Sequence, residues 1–332
     1  MSVLSNWGEI LRTANLSPDK HMDTVSRWLI ITRAAVFTMT LTSGLIGGLL
    51  AAAYAPAVRW DLLLLAVAGL VLAHAANNMI NDYFDLEGGV DTSEYARALY
   101  APHPILGGLI SKAGLRRAIF LVNAVDAALM VYLIWMRGWP VLLFALAGLF
   151  ISVFYVAPPI RLKHIGLGEL GVLLVWGPLM IGGVYYVAAG EVPSWVWGAA
   201  LPYALLTTTV LIGKHVDKLD QDKARGIRTL PVLLGGGFSR GLNVGLMILF
   251  YALVVGLVLL RWASPWILIS FLALGRLVRV MRIYREPKPA VPPPDYPVWP
   301  LWYVSAAFWH NKLAGALFVL GLIAQLILPV KF

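Results

Sequence analysis

The chain has 332 residues, of which 60% are apolar and only 13% are charged. A water-soluble domain ordinarily carries about a quarter charged residues, so composition alone excludes an aqueous globular fold. The absence of cysteine excludes disulfides and thiolate metal sites, and a net charge of +9 in so apolar a chain reads as leaflet anchoring and anion binding, with no nucleic-acid partner.

A bilayer core takes roughly 20 apolar residues per helical crossing. Residues 1–26 are polar and mixed in charge, so a cytoplasmic segment (1–27) without a signal peptide is expected ahead of the first span. Apolar runs near 28–55, 60–80, 116–136, 139–157, 168–189, 194–213, 241–260, 264–281 and 302–329 then predict nine transmembrane helices. The Pro-rich stretch EPKPAVPPPDYPVWP (286–300) reads as a stiff cytoplasmic connector before the last of them. The expected fold is all-α, a polytopic membrane bundle forming one domain over 1–332. With a cytoplasmic N-terminus, the external segments hold only Arg59, Arg137, Arg261 and Lys331, which leaves 22 of the 26 cationic residues on the cytoplasmic side. That bias puts the N-terminus inside and the C-terminus on the opposite face.

Two polar segments interrupt the apolar pattern. Helix 2 ends in NNMINDYFDLEGGVD (77–91), and helix 6 ends in GKHVDKLDQDKARGIRTLP (213–231). Each places an acidic cluster at the cytoplasmic end of an even-numbered helix, so helices 1–4 and 5–8 read as two pseudo-repeats sharing one site, with helix 9 added. On helix 2, His74, Asn78, Asn81, Asp82 and Asp85 recur at three- and four-residue spacing and form a stripe. Facing lipid, such a stripe would be costly, so it faces the bundle interior. Gly88 and Gly89 then end the helix and let Asp91 fold back. A single boundary Asp caps a helix or pairs with a cation; three of them with Asn81, repeated as a second cluster, point to a shared ligand. Hard oxygen donors suit Mg²⁺, which takes one or two carboxylates plus substrate phosphates. In the second cluster Asp217, Asp220 and Asp222 lie among Lys214, His215, Lys218, Lys223, Arg225 and Arg228, a mixture suited to a diphosphate held between metal ions and cations.

At these residues the chain resembles the UbiA superfamily of intramembrane prenyltransferases, over nearly its whole length. N81-D-Y-F-D85 followed by Asp91 is similar to the family's first motif, with the longer spacing of the 1,4-dihydroxy-2-naphthoate branch. YVAPPIRLKHIGLGELGVLLVWGPLMIGGVYYV (155–187), GIRTLPVLLG (226–235), HPILGGLIS (103–111) and the Arg33 segment also resemble it, although Ala34 stands where a Pro is usual. The second motif departs: Asp222 holds its last place before Gly226, but Lys218 occupies the first, and Asp217 lies one residue earlier. On an unbroken helix Asp217 and Asp222 differ by about 140° in direction, so a shared metal requires local unwinding, or Asp220 as the alternative ligand.

The resemblance implies Mg²⁺-dependent transfer of a prenyl group from a prenyl diphosphate to a lipophilic or aromatic acceptor, naphthoate-like or another quinone precursor, in the membrane lipid and with no protein partner. It implies metal ligands among Asn81, Asp82, Asp85, Asp91, Asp217, Asp220 and Asp222. Asp82, Asp85, Asp217 and Tyr155 are the expected catalytic residues. Arg33, Arg97, Arg161, Lys163, Lys214 and Arg228 are the expected diphosphate partners, and Phe154, Tyr185 and Tyr186 join Tyr155 as aromatic faces for the allylic cation. A non-aromatic acceptor, or cyclisation of the prenyl cation, would use the same site. A cation-coupled transporter would place its acidic groups near the bilayer midplane instead. Asp126 and Asn123 within helix 3 are further intramembrane polar candidates. Glu169 is expected to favour a helix N-terminus, Gly177-Pro178 to kink helix 5, and His310-Asn311 to contact an acceptor.

Overall fold

The computed structural model describes residues 3–294 and 296–330; Lys331, counted above among the external cations, and Asp295 of the Pro-rich connector lie outside them. The chain runs through α1 (Val3–Thr13), α2 (Thr24–Ile31), α3 (Phe37–Tyr54), α4 (Trp60–Glu87), α5 (Ala96–Tyr100), α6 (Lys112–Arg137) and α7 (Pro140–Phe154). It continues through α8 (Gly168–Leu174), α9 (Gly183–Ala189), α10 (Ser194–Asp217), α11 (Leu219–Ala224) and α12 (Leu230–Leu234). Then come α13 (Gly236–Leu259), α14 (Leu274–Arg285) and α15 (Tyr303–Ile327), with no strand among the described residues.

Among the described residues, seven segments are long and apolar enough to cross a membrane: Ala34–Tyr54, α4, α6, Gly168–Ala189, α10, α13 and α15. The runs at 139–157 and 264–281 fold as shorter pieces. α7 has 15 residues, and the later run is a 3₁₀ segment, Pro265–Ala273, leading into α14. Arg276, Arg279, Arg282 and Arg285 recur along α14, so the apolar length ends near the 3₁₀ segment.

α10 is the hub. It packs against α13, α15, α8 and the π-helical turns that join α8 to α9, and it is buried on most sides, as suits a helix apolar all round. α6 is the opposite case: of its residues only Leu115, Ala118 and Leu133 are buried, while Phe120 and Trp135 are 72% and 80% exposed. A hydrocarbon surrounding accepts that belt of bare apolar side chains; water does not. The expected kink is a π-helical stretch, Val175–Gly182, around Pro178. Proline supplies no N–H to the ladder, and the wider turns absorb the loss. Gly177 lets α10 close in, since a Cβ there would lie 2.5 Å from that of Ala204; Gly47 does the same for α3, 2.6 Å from the Ile181 carbonyl oxygen.

The N-terminal segment is clipped by Glu9, whose carboxylate accepts from the Ser17 amide (2.7 Å) and hydroxyl (2.6 Å) and pairs with Lys20. These bonds, Lys20 first, lower its carboxyl from 4.5 to about 2. A depressed acid stabilises the fold fully above its unfolded value and loses that contribution as pH falls through the folded one. The clip should therefore hold down to about pH 4.5 and open progressively towards pH 2. Hydrogen exchange at Leu16–Lys20, compared with Glu9→Gln at pH 7, reports it.

Candidate active site

α4 carries the first cluster into the bundle because its polar stripe has partners there. Asn78 donates to the Thr32 carbonyl (2.9 Å), and the His74 ring meets the Thr40 hydroxyl at 2.7 Å. Asp82 is fully buried between two guanidinium groups: Arg97 reaches it at 3.0 and 3.2 Å, and Arg33 forms a second fork. Arg33 can turn there because it adopts a left-handed backbone (φ 55°) between α2 and the 3₁₀ turn Ala34–Val36. Asp85 takes both of its bonds from the Lys163 ammonium, at 2.5 and 2.6 Å.

The chain then folds back as expected. Gly89 is left-handed (φ 70°), and the amides of Val90 and Asp91 both donate to the Asp85 carbonyl, at 2.8 and 3.0 Å. This buries Asp91, neither of whose carboxylate oxygens receives a hydrogen bond; the Asn81 carbonyl oxygen is likewise buried and unpartnered. His103 Nε2 lies 3.3 Å from Asp91 and 3.8 Å from Asp82. Its Nδ1 accepts from the Ile105 and Leu106 amides, so Nε2 carries the ring proton and faces the carboxylates as a donor. The available metal donors here are therefore all oxygen, the chemistry Mg²⁺ prefers.

The second cluster folds differently from expectation. The helix does break, at Lys218 between α10 and α11, but Asp217 faces away from the first cluster, its side chain buried against the start of α15. Its carboxylate accepts from the amides of Tyr303 (3.0 Å) and Val304 (2.9 Å), capping the start of α15, with Lys288 at 3.8 Å. Asp217 is thus occupied as a helix cap and is not brought to the first cluster, nor is Asp220, which is exposed. The break turns Asp222 inward, buried against Tyr95, whose hydroxyl donates to it at 2.5 Å, and Lys218, at 3.4 Å. Lys218 also donates to the Tyr95 hydroxyl at 2.7 Å. Burial works against both charges, yet each offsets it in the other: Lys218 and His215 hold the Asp222 carboxyl below its ordinary range, while Tyr95 and Asp222 hold the Lys218 ammonium well above its own.

Both clusters open on one small polar pocket. Asn81, Asp85 and Asp91 line it from α4 and its turn, Lys163 and Tyr155 from the segment after α7, Lys214 and Lys218 from the end of α10, with Arg33, Arg97 and Tyr95 completing the wall. Arg33, Asn81, Tyr155 and Lys214 also line the polar end of a cavity of about 810 Å³ that runs between α3, α4, α6, α7 and the π-helical turns. Arg161 and Arg228 are exposed and line neither; after Arg161 the 3₁₀ turn Leu162–Ile165 directs Lys163, two residues on, inward instead. Of the other aromatic candidates, Tyr185 packs on Trp195, Tyr186 donates to the Arg137 carbonyl (2.6 Å), and Phe154 packs on Phe150. Glu169 is buried against the His215 ring (2.6 Å) and is no simple helix-end charge. His310 meets the Tyr251 hydroxyl at 2.8 Å within the core, while Asp126 and Asn123 do line the cavity. Sequence reasoning missed Tyr95 and His103; their nearness to Asp91 and Arg97 in the chain was the one available signal.

The model of the UbiA prenyltransferase family matches residues 40–311. The chain belongs to the UbiA prenyltransferase family. It is accordingly a prenyltransferase and a multi-pass integral membrane protein. Among its relatives, the 1,4-dihydroxy-2-naphthoate octaprenyltransferase of Bacillus subtilis (strain 168) is 26% identical over 300 residues, covering 88% of this chain and 91% of that protein. The 2-carboxy-1,4-naphthoquinone phytyltransferase of Synechocystis sp. is 26% identical over 262 residues, covering 76% and 80%. A UbiA homolog from Archaeoglobus fulgidus bound to GPP and Mg²⁺ has the same fold, with a TM-score of 0.61 at 17% identity over 88% of this chain and 99% of its own.

The cap at Asp217 yields a direct expectation. Asp217→Ala should lower the melting temperature in detergent, by about 1–2 kcal/mol of stability, while diphosphate binding persists. Loss of diphosphate binding at unchanged stability would return Asp217 to the site.

Proposed function

We propose that the chain transfers a prenyl group from a prenyl diphosphate to a naphthoate-like or related quinone-precursor acceptor, with Mg²⁺ held at the first cluster. The observation that carries this reading is the junction itself: a cationic pocket with unpartnered carboxylate oxygens opens on a long apolar cavity, and Tyr155 stands at the seam. Asp91 and the Asn81 carbonyl oxygen would hold the ion, with Asp85 joining them once Lys163 turns from it to the diphosphate, and the ion would offset the charge that develops on the departing diphosphate. Lys163, Lys214 and Arg33 bind diphosphate oxygens by charge-assisted hydrogen bonds and orient the allylic carbon towards the cavity. The cavity takes the prenyl chain and excludes water, and the Tyr155 ring offers its face to the developing cation. The acceptor class is supported by the two naphthoate-type relatives.

The same reading takes the membrane crossings as nine, in two four-helix repeats plus α15, forming one domain. α7 and the Pro265–Arg285 segment would supply the two shorter crossings, and the ends of α4 and α10 meet at one pocket as repeats require. The cation distribution supports a cytoplasmic N-terminus. Purified protein given Mg²⁺, prenyl diphosphates of several lengths and a panel of naphthoates, benzoates and other acceptors should yield a prenylated naphthoate by mass analysis, abolished by EDTA. Product formation unaffected by EDTA, or confined to non-aromatic acceptors, would overturn it.

A further inference from the structure

We propose that the Lys218 ammonium supplies the positive charge a second divalent ion would bring, so that this chain handles diphosphate with one metal ion at the first cluster and lysines at the second. This rests on the prenyl-diphosphate reading above and adds to it the count and the nature of the cations.

The second cluster has no carboxylate pair to offer an ion. Asp217 caps α15 and Asp220 is exposed. Asp222 is the one carboxylate turned inward, and its Oδ1 is taken by the Tyr95 hydroxyl and Lys218. An ion bound through the remaining oxygen would sit against an ammonium 3.4 Å away on the same carboxylate, a like-charge contact in a buried place. Lys218 cannot readily leave. It is 5% exposed, donates to the Tyr95 hydroxyl, and lies over the Tyr95 ring at 4.8 Å, while Arg225 covers that ring at 4.6 Å. The break at Lys218 places its ammonium on the pocket that Asp85 and Asp91 also line.

The test counts ions. Full-length protein in detergent is equilibrated with Mn²⁺ and methylene diphosphonate, bound Mn²⁺ is counted, and its electron paramagnetic resonance spectrum is recorded. Wild type should retain one Mn²⁺ per chain with an uncoupled six-line spectrum, and Lys218→Asp should retain two with a spin-coupled spectrum. Lys218→Met should keep one ion and bind the diphosphonate at least tenfold more weakly. Two ions or a coupled spectrum in wild type would overturn the proposal, as would a single ion in Lys218→Asp or unchanged diphosphonate affinity in Lys218→Met. If Lys218→Asp does not fold, the wild-type count and Lys218→Met decide. No bound Mn²⁺ in wild type would overturn the metal-dependent reading itself, a result distinct from two.

Discussion

Asp91→Asn is expected to lower prenyl-transfer turnover by about 10²–10³-fold, about 3–4 kcal/mol of transition-state stabilisation, without lowering the melting temperature. The two halves of that expectation come from the same fact. Asp91 is 4% exposed, and neither of its carboxylate oxygens receives a hydrogen bond, although Asp82 and Asp85 stand nearby on α4. A buried carboxylate that the His103 ring approaches at 3.3 Å but that receives no hydrogen bond is under-satisfied, so neutralising it should cost little or no stability. Such a group is useful only if a cation completes it during the reaction. Turnover at saturating Mg²⁺, read by product mass analysis, and thermal unfolding in detergent without ligand check both halves. Wild-type turnover would remove Asp91 from the metal ligands; a large fall in melting temperature would give it a structural role.

What was legible in the sequence was whatever a single helix decides. The stripe from His74 to Asp85 reads correctly because residues three and four apart on one helix must share a face, and Gly88-Gly89 announce the turn that brings Asp91 back. The seven long apolar segments are legible for the same reason. What was not legible depends on partners far along the chain. Asp217 looks like a ligand until the amides of Tyr303 and Val304, some 86 residues later, take both its oxygens. Lys163 and Arg161 are equivalent as charges in sequence, and only a left-handed backbone at Arg161 (φ 51°) followed by a 3₁₀ turn decides which one enters the pocket. The Lys218–Tyr95–Asp222 contact joins segments over 120 residues apart. The apolar runs at 139–157 and 264–281 fold as a 15-residue helix and as a 3₁₀ segment leading into the arginine-bearing α14, details that a hydropathy window does not resolve.

Asp82→Ala should behave in the reverse way to Asp91→Asn, because the Asp82 carboxylate is already bound between two buried arginines. Its carboxylate is fully buried and binds Arg33 and Arg97 on its two sides, holding α4 to the turn before α3 and to α5. Removing it leaves two guanidinium groups in the interior with no counter-charge, a loss of about 3–5 kcal/mol. For a chain of this size that is a fall in melting temperature of roughly 4–7 °C, present without metal or substrate. Turnover should fall with it, since Arg33 lines both the polar pocket and the cavity. The triple variant Asp82→Leu, Arg33→Met, Arg97→Met separates fold from function: apolar replacement of the whole buried set should recover most of the lost stability while turnover stays lost. Thermal unfolding in detergent of the single and triple variants measures this. If Asp82→Ala instead keeps the wild-type melting temperature and loses only metal-dependent turnover, its pairing with the two arginines is incidental and the carboxylate belongs to the ion.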